Sequence, residues 1–82
     1  MKCAVEFNVY ELTIYKVFGD GSKRAICRVY EDNNFLHLDV RADNWKYLNE
    51  MENTYHMLER DMVGVDLRLL YDELVEHGVT EL

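Results

Sequence analysis

The stretch from Asp43 to Met62 constrains the fold more than any other part of this chain. Trp45, Leu48, Met51, Tyr55, Leu58 and Met62 recur there at steps of three and four residues. That spacing puts them on one stripe of a helix about 28 Å long. Lys46, Asn49, Glu50, Glu52, Asn53, His56, Glu59 and Arg60 fall away from the stripe, toward water. Asp43 or Asn44 can cap the start, because a short side-chain oxygen accepts a bond from a free backbone N–H. Trp45, first on the stripe, is expected in the core, facing a sheet built from the residues before it.

Those residues alternate as strands do. Cys3, Val5, Phe7 and Val9 are apolar at odd positions, and Leu12 and Ile14 at even ones. Strict alternation makes such a phase change an extra residue or a corner, placed near Tyr10-Glu11. Phe7, Tyr10, Ile14 and Val17 also fit a helical stripe, the weaker reading of a segment rich in β-branched and aromatic residues. Gly19-Asp20-Gly21-Ser22 is a hairpin turn. No Lys-Ser or Lys-Thr and no helix follows it, so it is not a phosphate loop. The next strand, Lys23 to Glu31, puts Ala25, Cys27 and Val29 on one face and Arg24, Ile26, Arg28 and Tyr30 on the other. Asp32-Asn33-Asn34 turns the chain again. Phe35 to Arg41 then points Leu36, Leu38 and Val40 inward, and His37, Asp39 and Arg41 outward.

Beyond the long helix, Gly64 suits the left-handed position that ends it, and Asp66 caps a second helix. Leu67, Leu70, Tyr71 and Leu74 form the second stripe, Val65 can pack on Leu70, and His77 and Gly78 close the helix. Val79 to Leu82 is a short tail. The fold class is therefore α+β: a three- to four-stranded antiparallel meander followed by two helices packed on one face. One domain spans 1–82, with a sheet half at 1–41 and a helical half at 42–82, because 82 residues hold one core.

The net charge of −7 sits wholly in the helical half. Residues 1–41 carry six acids and six bases, and residues 42–82 carry ten acids and three bases. Direct nucleic-acid binding needs clustered Lys and Arg, so an acidic surface points instead to a protein partner with a basic surface. No apolar run approaches a membrane span, and Glu6 falls where a signal peptide needs its apolar centre, so the expected setting is the cytoplasm. Cys3 and Cys27 are too far apart for a zinc or redox motif and are expected as reduced thiols.

Motifs for catalysis are thin. His37 and Asp39 share a strand face, half of an orienting pair for a small hydrolase, but no nucleophile completes it. Glu52/His56 and Glu73/His77 each stand one helical turn apart, yet no established metal-ligand spacing occurs, and neither metal nor cofactor is expected. Tyrosine and methionine are the more informative residues, since both types are enriched where proteins meet. The expected function is a small non-enzymatic protein-binding modulator or inhibitor. Its contact residues are Tyr47, Glu50, Glu52, Met57 and Glu59, with Tyr47 and Met57 as anchors on an acidic helical surface. In type alone, with no motif carrying the likeness, the chain resembles the small modulators of phages and mobile elements. The alternative is a nucleic-acid mimic, with Glu50, Glu52, Glu59, Asp61, Asp66, Asp72, Glu73 and Glu76 standing in for phosphates. A homodimer is also expected, because an exposed sheet edge offers unpaired backbone groups.

Overall fold

The computed structural model describes residues 2–8, 10–33, 35–50 and 66–82. Their order is β1 (Cys3–Phe7), β2 (Glu11–Val17), β3 (Lys23–Asp32), β4 (Phe35–Val40), a 3-10 turn (Ala42–Asn44), α1 (Trp45–Glu50), α2 (Leu67–Glu76) and β5 (Thr80–Glu81). The class is α+β. Positions 51–62 of the long stripe, Val65 and Gly64 lie outside the described residues.

The first hairpin resolves the change of phase. Asn8 accepts the amides of Tyr10 and Glu11 on its side-chain oxygen, at 2.9 and 3.0 Å. The chain reverses there, and Val5 pairs with Ile14 and Phe7 with Leu12. Odd positions of β1 and even positions of β2 thus share the core face, and residues 11–17 form a strand, not a helix. In the second hairpin Gly21 takes a φ of 88°, and Asp20 accepts from both the amide and the hydroxyl of Ser22.

The sheet is five-stranded and mixed, in the order β4-β3-β2-β1-β5, rather than a three- to four-stranded antiparallel meander. The tail supplies the added strand: β5 runs parallel to β1, pairing Thr80 with Ala4 and Glu81 with Val5. The end of α2 makes this possible. Val79 N–H donates to the Leu74 carbonyl and Gly78 N–H to that of Val75, both at 3.0 Å, with Gly78 at φ 94°. This closure reverses the chain and buries Val79 with Leu74, delivering Thr80 to the sheet edge.

A second correction lies in β3. Ile14 pairs with Cys27 but Tyr15 pairs with Ala25, so Ile26 is an extra residue, a β-bulge. Ile26 and Cys27 are both buried in the core. Below the bulge the alternation is inverted: Arg24 pairs with Lys16 on the core-side face, whereas Arg28 pairs with Thr13 on the opposite one. Arg24, Ile26 and Arg28 therefore do not share a face. The core joins Val5, Leu12, Ile14, Ile26, Cys27 and Val29 of the sheet with Leu48, Leu67, Leu70 and Leu74 of the helices.

Trp45 is not part of that core; it is 41% exposed, and Leu48 is the buried residue of α1. The 3-10 turn sets the rotation with which α1 enters. Neither Asp43 nor Asn44 caps the helix as expected. The residue before the turn, Arg41, makes no side-chain cap, and Asn44 is buried with its amide spent on β3. No helix among the described residues is long and apolar enough to cross a membrane.

Candidate partner-binding surface

Tyr47 projects from α1 into a cluster of cations. Lys16 Nζ lies 4.9 Å from its ring centroid, Lys46 Nζ 5.0 Å and Arg24 Cζ 5.2 Å. Phe18 meets the ring edge-on at 6.2 Å. A cation over an exposed ring is worth about 0.5–1 kcal/mol, so together these contacts hold Tyr47 in one orientation. Lys16 also pairs with Glu50 at 3.3 Å. Arg24 donates through Nε to Asn44 Oδ1 at 2.9 Å and through its NH2 group to Asp43 at 2.8 Å. Asn44 in turn donates to the carbonyls of Ala25 and Ile26 at 3.3 and 3.2 Å. The bulge is thus what aims Arg24 at α1, and Asn44 braces the strand edge beside it.

Tyr47 and Glu50 are brought together through Lys16; Glu52, Met57 and Glu59 lie outside the described residues. The described part of this surface is mixed in charge, not acidic, since Lys16, Arg24 and Lys46 stand against Asp43 and Glu50. Sequence reading missed Lys16 and Arg24 because they come from strands. It missed Trp45 as a surface residue because its spacing fits the stripe. The signal available was helical: Asp43, Lys46, Tyr47 and Glu50 follow the same three- and four-residue steps as the apolar stripe.

His37 and Asp39 do not pair. The His37 ring stacks on Tyr30 at 5.3 Å, and its Nε2 lies 3.3 Å from the Asp32 carbonyl. Asp39 accepts from Arg28 at 2.9 Å, and Arg28 also reaches Glu11 at 3.1 Å. These carboxylates hold the Arg28 guanidinium still more firmly protonated, the hydrogen bond to Asp39 contributing most. Burial pushes the Cys27 thiol up to about 12, so at neutral pH it is a protonated packing group and not a nucleophile. His77 Nδ1 lies 2.8 Å from the Glu73 carbonyl, satisfying an acceptor at the end of α2. Among the described residues no three His, Cys, Asp or Glu side chains converge as a metal site would require.

Comparison with protein families, with curated proteins and with solved structures finds no match to this chain.

Proposed function

We propose that this chain is a non-enzymatic protein-binding modulator that docks through the outer surface of α1. The observation that carries the reading is Trp45, a large aromatic 41% exposed on a helix that Leu48 anchors in the core. Aromatic side chains on rigid supports are the usual anchors of protein interfaces, because they bury much area at little cost in entropy. Trp45 and the edge of Tyr47 serve as anchors, joined by Met57. Glu50, Glu52 and Glu59 face basic groups of the partner. The reading places both helices on one face of the sheet, which the presence of Leu48, Leu67, Leu70 and Leu74 in one core cluster supports. It takes the cytoplasm as the setting. It also includes a second copy paired along β4, which bonds only β3 among the described residues.

The test begins with affinity capture from the natural host and mass spectrometry to identify the partner. Binding is then measured from low to high salt. The expected result is weak salt dependence, with Trp45→Ala or Tyr47→Ala each weakening binding about tenfold or more. If a Glu50, Glu52 and Glu59 to Gln variant abolishes binding while the truncations do not, the chain is an acidic mimic of nucleic acid. Sedimentation that shows only monomer at high concentration would remove the paired β4 edge.

A further inference from the structure

β4 ends the sheet on one side, and among the described residues it bonds only β3. Its six residues pair with β3 without a shift, from Phe35 against Asp32 to Val40 against Cys27. Sheet edges are commonly blunted by a bulge, a proline or a lysine, and β4 carries none of the three. Leu36, Leu38 and Val40 point to the core side, yet each is only half-buried. The edge is therefore regular, and its apolar row is incompletely covered.

A two-residue turn closes on a hydrogen-bonded pair, here Asp32 with Phe35. Bonded and unbonded pairs then alternate, so His37 and Asp39 spend their backbone groups on Tyr30 and Arg28. Leu36, Leu38 and Val40 turn theirs outward, at the same residues that carry the apolar row.

We infer that the partner of this edge is a second copy of β4, antiparallel to the first, with Leu38 on the two-fold axis. The inference rests on the β4 pairing proposed above and fixes its register. Opposed residues of antiparallel strands share a sheet face, so the two numbers of each pair are both odd or both even. Centring on Leu38 sets His37 against Asp39 twice, once on each side of the axis. It makes three bonded pairs: Leu36 with Val40, Leu38 with Leu38, and Val40 with Leu36. Moving the centre to His37 sets the imidazole against its own copy. Moving it to Asp39 sets two carboxylates face to face, which is unfavourable. Each of those centres leaves two bonded pairs, and a further shift leaves one at most. Asp39 holds Arg28 through Oδ2, which leaves Oδ1, and His37 meets the Asp32 carbonyl through Nε2, which leaves Nδ1. On the other face Leu36, Leu38 and Val40 of one copy meet those of the second, extending the cover that the row lacks.

The test uses the native chain at high concentration, half of it isotope-labelled. Unbonded pairs of antiparallel strands bring their α-hydrogens close, so NOEs between labelled and unlabelled copies read the register. A contact between the α-hydrogens of His37 and Asp39 is expected. A contact of His37 with His37, or of Asp39 with Asp39, would overturn the register while the β4 pairing stands. Monomer alone in sedimentation, or contacts only at another surface, would remove the pairing itself and the register with it. Substitution of His37 gives a second reading, in salt that screens long-range charge. His37→Glu and His37→Lys both lose the stack on Tyr30, so the difference between them reports the charge opposite. His37→Glu should dimerise about tenfold more weakly than His37→Lys. Equal dimerisation of the two variants would also overturn the register.

Discussion

Asp66 opens α2 by accepting the Leu69 amide at 2.8 Å, whereas Arg41 opens the 3-10 turn before α1 with no side-chain cap at all. The contrast continues along both segments. α2 buries three leucines, is capped by the residue just before it, and closes on Gly78 and Val79. Every one of those devices lies within residues 66–79. The start of α1 is held instead from afar. Asn44 bonds the carbonyls of Ala25 and Ile26, Arg24 bonds Asn44 and Asp43, and Lys16 reaches Tyr47 and Glu50. Both helices bury leucine in the core, but the start of one is held by local caps and that of the other by a polar brace built on a bulge.

The sharpest way to break this comparison is to cut both helices. Leu70 is fully buried, so Leu70→Ala should cost about 2–5 kcal/mol through lost transfer energy and a cavity. Trp45→Ala should cost less than about 1.5 kcal/mol, because much of the ring is already in water. Chemical denaturation of both variants measures the difference. Equal losses would mean that α1 depends on apolar burial as α2 does.

The same contrast explains what could be read from the sequence. The cap at Asp66, the stripe of Leu67, Leu70, Tyr71 and Leu74, and the turn at Gly19 to Ser22 are patterns of neighbouring residues, and each is present. The bulge at Ile26 leaves no such trace. Ala25, Ile26, Cys27 and Val29 are apolar in both phases of alternation, so either register reads as a plausible strand. Missing the bulge put Arg24 and Arg28 on one face and hid the cluster around Tyr47. β5 was illegible for a different reason: four tail residues are too few to show a period, and parallel pairing to β1 depends on where α2 ends. Trp45 fits the stripe by spacing, but a 3-10 turn shifts the helix phase without changing the spacing of its residues.

Asn44 offers the next test, at smaller scale. Asn44→Ala removes the donors to Ala25 and Ile26 and the acceptor of Arg24, at a site only 4% exposed. It should cost about 1–3 kcal/mol, since buried carbonyls would lose their partners. Asn44→Asp keeps the shape and the acceptor but loses the amide donors, and should be no better than Ala. NMR of the Arg24 Nε–H group reports whether the brace has come apart. A variant as stable as the native chain, with the Arg24 signal unmoved, would show that water replaces the amide without loss.

The smallest effect concerns the tail, where a side-chain contact ties α2 to β5. Tyr71 donates its hydroxyl to Glu81 at 2.8 Å, tying the helix to β5. That hydrogen bond raises the Tyr71 pKa above the usual tyrosine value, with burial and the Glu81 charge adding and Arg68 opposing. A raised folded-state pKa means that the neutral phenol is the form the fold favours. Its contribution is therefore fully present below about pH 10, the range of an ordinary tyrosine, and is lost as pH rises through the folded value. Tyr71→Phe keeps the ring against Phe7, whose centroid is 5.4 Å away, and removes only the hydroxyl. The variant should be slightly less stable than the native chain at neutral pH, and the gap should close in alkali. Difference absorbance titration of the native chain against Tyr71→Phe isolates this phenol from the other tyrosines. Its midpoint should lie above that of free tyrosine and should fall in Glu81→Gln, where the carboxylate charge is gone. A midpoint at the free value, unmoved by Glu81→Gln, would mean that β5 stays on the sheet by its backbone pairing to Ala4 and Val5 alone.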